Sequence, residues 1–288
     1  MNKLPSLSAN EPLTRKNTLG ALQHFHYSLT GTPKGKKLVF LHGLMGSANN
    51  WRKIAQAFED QFEVLCFDQR GHGRSFKPES GYTPHDFAGD LYDILGELGW
   101  QKIYLVGHSM GGRNAVDFAA HHSDFVEKLV VEDIGPDRNP EGVTRIKNYL
   151  QYIPTPFVGR NEAREFLNGP FVEKFGANKG ARILSQYFYM NLEQKPNGQM
   201  DWRFSKSAIF EAMEKARERE RWEDFHRLNC PTLIVRGENS LELKKEVFTK
   251  LLEENPQFHG IEIAEAGHWV HFDQPKAFIE ALKAFFDN

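Results

Sequence analysis

The sequence predicts an α/β fold, a mostly parallel twisted sheet with helices on both faces and an inserted helical cap. Short runs of β-branched and apolar residues alternate with segments of helical period, a pattern typical of parallel sheets. One long stretch, residues 137–227, breaks this alternation. The chain has 288 residues, 40% of them hydrophobic, which is enough to bury the core of such a fold.

Seven runs are predicted as strands because they concentrate β-branched and apolar residues between turn residues. In chain order they are 21–28, 37–43, 62–68, 102–108, 128–134, 231–237 and 260–266. Several of the segments between and after them have apolar residues at spacings of three and four, which predicts helices. These helical segments are 49–60, 84–99, 110–123, 241–255 and 275–288.

Residues 137–227 are helical, aromatic and charged, and contain no strand-like run. Turn residues interrupt them at "IPTPF", "NGPF" and "KPNGQ". We therefore predict a core domain made of residues 1–136 and 228–288, into which residues 137–227 are inserted as a helical cap.

Composition argues against several classes of protein. The 36 lysine and arginine residues nearly balance the 38 acidic residues, which gives a net charge of −2. The sequence also contains no block of five like charges. Neither nucleic acid nor a membrane surface is therefore indicated as a partner. Because no run of about 18 apolar residues occurs, we expect no membrane span.

The first 20 residues lack the apolar core of a secretory signal, so we expect a cytoplasmic location. Their low acid content leaves a mitochondrial transit peptide as the alternative. Cys66 and Cys230 border or lie in strand-like runs, which favours buried free thiols in a reducing compartment.

Ser109 lies in a G-x-S-x-G motif, between Gly107 and Gly111, after a predicted strand and before a predicted helix. This context is that of a nucleophile elbow, a sharp turn that lifts a serine hydroxyl above the sheet. The alternative is that Ser109 only caps the following helix, since serine is a favoured N-cap residue. The motif alone leaves both interpretations open.

The run "FLHGLMG", residues 40–46, ends a strand and enters a loop. Acyl transfer needs donors for an oxyanion, and we expect the N–H of Leu44, or of Met45, to act with that of Met110. His42 precedes the serine, whereas the expected chain order is serine, acid, histidine. We therefore predict that His42 is a structural hydrogen-bonding residue beneath this loop.

His268 follows the last predicted strand and Gly267, where a general base for Ser109 is expected. His271, three residues later, is the alternative. The acid that orients the histidine could come from either of two loops. "LVVEDIGP" offers Asp133 and "IVRGENSLEL" offers Glu238; we choose Asp133, with a helix or turn cap near Gly135-Pro136 as its alternative role.

Together these residues resemble the α/β-hydrolase superfamily, from about residue 21 to the C-terminus. The motifs "HGLMGSANNW", "FDQRGHGRS", "VGHSMGG", "VEDIGP", "RGENS" and "GHWVHFDQP" resemble the branch of bacterial YbfF-type esterases and animal abhydrolase-domain proteins. In that branch the acid follows the sixth strand and serine occupies the usual acid position, which fits Asp133 and Ser240 here. The resemblance implies that Ser240 assists by hydrogen bonding near His268 and Asp133.

The predicted function is a serine hydrolase that cleaves carboxylic esters or thioesters with an apolar, short-to-medium acyl group through an acyl-enzyme. The reaction would need a small-molecule ester and water, and neither a cofactor nor a metal.

The tandem His121-His122 is assigned to structure or solvent and not to a metal site. A C–C bond hydrolase, a perhydrolase and a ligand-binding receptor on the same fold are the alternatives. Haloalkane dehalogenases and epoxide hydrolases need a carboxylate at the elbow, so Ser109 argues against both.

The substrate pocket is predicted from loop residues beside the serine and from aromatic residues of the cap, although the aromatic residues could equally form the core of the cap. The predicted pocket residues are His42, Gly43, Met45, Phe157, Phe171, Tyr187, Phe188, Trp202 and Trp269.

Overall fold

A seven-stranded sheet organises the protein in a computed structural model that describes residues 20–288. The prediction about a signal or transit peptide concerns residues that, apart from Gly20, lie outside the described ones. The described residues form nine strands: β1 (Tyr27–Gly31), β2 (Lys36–Leu41), β3 (Phe62–Phe67), β4 (Ile103–His108), β5 (Val126–Glu132), β6 (Leu192–Gln194), β7 (Met200–Trp202), β8 (Thr232–Gly237) and β9 (Phe258–Ile263).

The same residues form twelve α-helices, several of them a single turn long. The helices are α1 (Arg52–Ala55), α2 (Pro84–Leu98), α3 (Met110–His121), α4 (Pro140–Tyr152), α5 (Arg160–Phe166), α6 (Val172–Lys174), α7 (Lys179–Met190), α8 (Lys206–Ala216), α9 (Trp222–His226), α10 (Lys245–Glu254), α11 (Val270–Asp273) and α12 (Pro275–Asp287).

The strand order in the sheet is β1-β3-β2-β4-β5-β8-β9. Every neighbouring pair is parallel except β1 and β3, which are antiparallel. The central strand β4 is buried along its whole length, as expected for a parallel strand covered on both faces. The predicted fold class is therefore confirmed.

Two layers of helices cover the sheet because successive side chains of a strand point to opposite faces. On one face Leu105 packs in a cluster with Leu91 of α2 and Phe118 of α3. On the other face Val106 packs in a cluster with Phe278 of α12. All these side chains are fully buried, and this packing fixes the position of β4 and of the turn that follows it.

The prediction of a strand over residues 21–28 is wrong at its start. Leu22–His24 form a 3₁₀ turn, and β1 begins only at Tyr27. The apolar residues of this run anchor the turn, since the ring of Phe25 packs edge-on against Phe67 at 5.6 Å between centroids.

Residues 137–227, called the insertion from here on, connect β5 to β8 and contain α4 to α9. The expectation that this segment lacks strands is also wrong, because β6 and β7 pair as an antiparallel hairpin. Each of these strands has three residues, too few for an alternating pattern to be visible in the sequence.

Within the described part of the chain, no helix combines the length and the apolar character that a bilayer crossing requires. Cys66 and Cys230 are buried free thiols, as predicted.

Candidate active site

Ser109 occupies a strained turn between β4 and α3, with φ of 54° and ψ of −113°. The turn is tight on both sides. A Cβ atom on Gly107 would lie 2.3 Å from the carbonyl oxygen of Gly111, and one on Gly111 would lie 2.3 Å from that of Leu41. Ser109 makes no side-chain cap of α3, and its hydroxyl instead contacts His268. The turn therefore presents the hydroxyl to the histidine, as an elbow does.

His268 lies in the loop between β9 and α11 and joins two of the predicted site residues. Its Nε2 atom lies 2.9 Å from Oγ of Ser109, and its Nδ1 atom lies 2.8 Å from Oδ2 of Asp133. Burial lowers the pKa of His268, but the hydrogen bond and the negative charge of Asp133 outweigh that effect, so its pKa is raised. The imidazole is thus placed to take up a proton from Ser109.

Asp133 directly follows β5 and has a left-handed backbone with φ of 53°. Its side chain is fully buried and accepts hydrogen bonds from the Gly237 amide at 2.9 Å and from the Ser240 hydroxyl at 2.5 Å, in addition to the contact with His268. Burial raises the pKa of Asp133, and these donors oppose the rise. The donors fix the carboxylate in one orientation facing the imidazole.

The second candidate acid, Glu238, is engaged elsewhere. Its Oε2 atom accepts a hydrogen bond from the amide of Glu265 at 2.9 Å, on the exposed side of the loop. Ser240, in contrast, belongs to the Asp133 network, and its Oγ also accepts from the amides of Glu242 and Leu243 at 3.1 and 3.3 Å. The structure brings Asp133 and Ser240, and not Glu238, into this network.

The loop after β2 is held beside Ser109 by side chains beneath and above it. His42 accepts a hydrogen bond at Nε2 from the Gln69 amide at 2.9 Å, and burial lowers its pKa to about 4. From the insertion, the hydroxyl of Tyr187 donates to the carbonyl of Leu44 at 2.7 Å. Met45 has a left-handed backbone with φ of 64°. These contacts place Leu44 and Met45 next to the serine, while their roles toward an oxyanion stay predictions.

A buried group of polar residues supports the histidine loop, and of its members the sequence had pointed only to His271. His108 donates from Nε2 to the carbonyl of His268 at 2.9 Å. Below it, Nδ1 of His271 lies 2.8 and 2.9 Å from the two carboxylate oxygens of Glu132, and the His271 amide donates to the same carboxylate. His271, the alternative base, is therefore committed to Glu132. For Glu132, the only signal in the sequence was that it immediately precedes Asp133.

A cavity of about 310 Å³ opens above Ser109 and His268, between the sheet and the insertion. One part of its wall is apolar, and Arg145, Arg217 and Glu242 are among the polar residues that line the rest. The apolar part includes Leu44, Met45, Tyr149, Phe175, Leu184 and Trp269.

The predicted pocket residues divide into three groups. Met45 and Trp269 line the cavity, and Tyr187 and the His42-Gly43 pair support the loop beside it. The other four aromatic residues are wrong as pocket residues, since they are fully or almost fully buried in the apolar core of the insertion. They are Phe157, Phe171, Phe188 and Trp202. Large rings contribute most when they are fully buried, so the insertion uses them for its own packing. Tyr149 and Phe175, which do line the cavity, carry no sequence feature that separates them from those four.

Among residues 20–288, two groups of side chains have donor atoms close enough to hold a metal ion. One is His108, Glu132 and His271, beneath the histidine loop. The other is His85, Asp117 and His121, where the Nδ1 atoms of the two histidines lie 3.4 and 3.5 Å from Oδ1 of Asp117. The sequence indicated neither group, because most of the members are far apart along the chain. Asp117 and His121 are neighbours four residues apart on α3, but the third member, His85, comes from α2.

The chain matches the family model described as the alpha/beta hydrolase fold over residues 36–275. It is 31% identical to a protein of the esterase/lipase type from Haemophilus influenzae, over 87% of this chain and 83% of the relative. It is also 31% identical to the sn-1-specific diacylglycerol lipase ABHD11 of Danio rerio, over 86% of this chain and 77% of the relative. Among solved structures, a marine microorganism esterase superposes with a TM-score of 0.78 at 28% identity, covering 91% of this chain and 99% of the other. The chain therefore belongs to the α/β-hydrolase family and is a hydrolase with esterase- and lipase-type relatives.

Proposed function

We propose that the protein is a serine hydrolase that cleaves carboxylic esters through an acyl-enzyme, with Ser109 as nucleophile, His268 as general base and Asp133 as the acid that orients the base. The observation that carries this proposal is the continuous line of contacts from Ser109 Oγ to His268 at 2.9 Å and from His268 to Asp133 at 2.8 Å. Residues so connected act as a unit, since the nucleophile is weak without its base.

In the first half of the reaction, Nε2 of His268 takes the proton of the Ser109 hydroxyl while Oγ attacks the carbonyl carbon of the ester. The carbonyl oxygen becomes an oxyanion, which the amides of Met110 and Leu44, or of Met45, stabilise. When the tetrahedral intermediate collapses, the bond to the leaving alcohol breaks and His268 returns the proton to that alcohol. The acyl group is then esterified to Ser109.

In the second half, water gives a proton to His268 and attacks the acyl carbon, and the proton returns to Ser109 as the acid is released. Asp133 holds the imidazole in the tautomer that exposes Nε2 to the serine and stabilises its cation. Ser240 acts on Asp133, to which its hydroxyl donates. It is a positioning residue in this scheme.

An apolar acyl group suits the cavity. The volume of about 310 Å³ lies at the small end of the range for small-molecule pockets, about 300 to 1,000 Å³. The aromatic and aliphatic wall beside Ser109 favours a short-to-medium acyl chain of a carboxylic ester or thioester. The esterase- and lipase-type relatives support ester chemistry.

We further propose that residues 137–227 act as a cap domain on a core to which, among the described residues, 20–136 and 228–288 belong. The cavity is lined from both sides, by Ser109 and His268 of the core and by Tyr149 and Leu184 of the insertion. A substrate in this cavity would be enclosed between the two, which excludes bulk water from the acyl-enzyme.

Replacing Ser109 by alanine tests the proposal. We expect Ser109→Ala to lower kcat for p-nitrophenyl hexanoate by roughly 10⁴- to 10⁶-fold, the range seen when a catalytic serine is removed. Steady-state kinetics measure the loss, and circular dichroism checks the fold. The exposed serine of the insertion, replaced in Ser207→Ala, is the matched control and should retain wild-type rates. Ester turnover that survives in Ser109→Ala would contradict the proposal, and absence of turnover in the wild type would favour a ligand-binding receptor.

A further inference from the structure

Positive charge is concentrated on one side of the candidate active site. Arg145 and Arg217 line the main cavity together with Ser109. Arg113 and Arg217 line a second, smaller cavity that also reaches Ser109. Among the described residues that line these two cavities, Glu242 carries the one carboxylate.

Glu242 is already largely committed. Its Oε1 atom forms an ion pair with Arg145, and Asn139 donates to its Oε2 atom at 2.8 Å. Arg217 reaches the same carboxylate only at 3.5 Å, which is longer than the about 2.7 to 2.9 Å of a strong charge-assisted hydrogen bond. Arg145 therefore has a carboxylate partner, and Arg217 shares it weakly.

Arg113 is 3% exposed, and within the described part of the chain it donates only to backbone carbonyls, those of Asp137 at 2.8 Å and Ala216 at 3.4 Å. The Asp137 carboxylate accepts instead from the indole of Trp222 at 3.1 Å. Burial, followed by repulsion from Arg217 and Arg221, lowers the pKa of Arg113. A guanidinium nevertheless stays charged in proteins, so this cation is buried without a carboxylate of its own.

Both guanidinium groups also retain an unused donor. Over residues 20–288, the Nε atoms of Arg113 and Arg217 are buried and have no hydrogen-bond partner. Buried polar atoms are seldom left unpaired, and an unpaired buried cation is strongly unfavourable. Arg113 and Arg217 both line the small cavity that reaches Ser109, and Glu242 compensates the charge of Arg217 only weakly. An anion bound in that cavity would supply the missing negative charge.

We propose that Arg217, with Arg113 behind it, binds a free carboxylate of the substrate, so that the enzyme prefers esters whose acyl part carries a second, unesterified carboxylate. This inference rests on the proposed ester hydrolysis and deepens it. The apolar wall of the main cavity then takes the methylene chain between the two carbonyl groups.

The size of the second cavity favours a carboxylate over a larger anion. Its volume is about 20 Å³, whereas one water molecule needs about 10 to 15 Å³ by the same measure. The other walls include the apolar side chains of Leu44, Ile146 and Met213. A planar carboxylate fits such a space and matches the fork of a guanidinium, whereas a tetrahedral phosphate is bulkier.

Two esters of equal chain length test the inference, mono-p-nitrophenyl adipate with a free carboxylate and p-nitrophenyl hexanoate without one. We expect wild-type kcat/KM to be higher for the adipate ester by roughly tenfold or more, since hydrogen bonds to charged groups are the strong ones. Arg217→Gln should lower the ratio of the two kcat/KM values by roughly 10- to 100-fold. Arg182→Gln removes the same charge from an exposed position on α7 and should leave the ratio unchanged.

Arg217→Lys keeps the charge without the fork and should retain part of the preference, which separates charge recognition from a purely structural role of Arg217. A wild-type ratio at or below one overturns the inference without any variant, as does an unchanged ratio in Arg217→Gln. Ester hydrolysis that depends on Ser109 in the same assays would leave the proposed function standing. If Ser109→Ala still hydrolyses both esters, the proposed function itself fails.

Discussion

The carboxylate at position 133 differs from the one at 238 in its surroundings, although both follow parallel strands. Asp133 is fully buried and faces His268, whereas Glu238 caps a neighbouring backbone amide at the exposed edge. A buried carboxylate that faces an imidazole fixes its tautomer, and an exposed one contributes little. The proposed assignment of the acid can therefore be tested by two isosteric substitutions.

Asp133→Asn should reduce kcat for p-nitrophenyl hexanoate by about 10⁴-fold, because the amide favours the wrong tautomer of the histidine. Glu238→Gln, the matched control, should stay within about threefold of wild type because surface substitutions have small effects. Both variants are compared by steady-state kinetics after their folding is checked. A collapse of the rate in Glu238→Gln, with Asp133→Asn nearly unaffected, would move the acid role to Glu238.

The raised pKa of His268 gives the activity a defined pH dependence. The imidazole accepts the serine proton only when it is neutral, so kcat/KM should rise with pH through an inflection above the ordinary histidine value of 6.5. Burial lowers the pKa of His268, and without the charge of Asp133 this effect is only partly opposed. The residual activity of Asp133→Asn should therefore have its inflection at lower pH than the wild type. An inflection that stays in place or moves upward in this variant would contradict the role of Asp133 as the charge that raises the pKa.

At the scale of elements, the approach of α3 to the sheet depends on glycine. Gly111, in the first turn of α3, packs on the backbone of β2, where a Cβ would lie 2.3 Å from the Leu41 carbonyl oxygen and 2.7 Å from that of His42. Backbone atoms cannot move aside as the end of a flexible side chain can. The close contact between Gly111 and the backbone of β2 therefore allows the serine turn to form and also contributes to the stability of the fold.

Gly111→Ala should lower the free energy of unfolding by about 1 to 3 kcal/mol, the usual cost of adding atoms to a packed core. Gly159→Ala serves as the control because a Cβ at Gly159 would meet no atom within 4 Å. Urea unfolding followed by fluorescence measures both. Equal stability losses in the two variants would show that crowding against β2 is not the cause.

At the scale of the whole molecule, the insertion meets the core at the loop that borders Ser109. The hydroxyl of Tyr187, in α7, donates to the carbonyl of Leu44 in a buried contact. Arg113 of α3 adds bonds to the carbonyls of Asp137 and Ala216, at the two ends of the segment that carries the cavity wall. The position of the insertion and the position of the loop are thus coupled.

Tyr187→Phe should lower the free energy of unfolding by about 1 to 3 kcal/mol, because the buried Leu44 carbonyl is left without its donor. It should also raise KM for p-nitrophenyl hexanoate, since that loop borders the cavity. Tyr152→Phe removes a longer, exposed bond to Pro170 within the insertion and should cost less than about 0.5 kcal/mol. If Tyr187→Phe matches Tyr152→Phe in stability and kinetics, the insertion and the loop are not coupled through this contact.

Local patterns along the chain predict the α/β fold, six of the seven strands of the main sheet to within two or three residues at each end, and the serine turn. Each of these features depends on short segments or on strict local geometry. Hydrophobic period and turn residues are properties of short segments. The need for glycine on both sides of Ser109 is also a local property. Short elements such as β6 and α11 were missed because their patterns are too brief.

Which distant side chains meet depends on how the elements pack together. Asp133 and Glu238 were both candidates in the sequence. In the structure Asp133, which follows the more central strand β5, is fully buried, whereas Glu238, which follows β8, is exposed. The aromatic residues of the insertion were indistinguishable as pocket or core until packing separated Phe171 from Tyr149. The role proposed for Arg113 and Arg217 likewise depends on the structure. A buried charge can be called uncompensated only when the side chains around it are known.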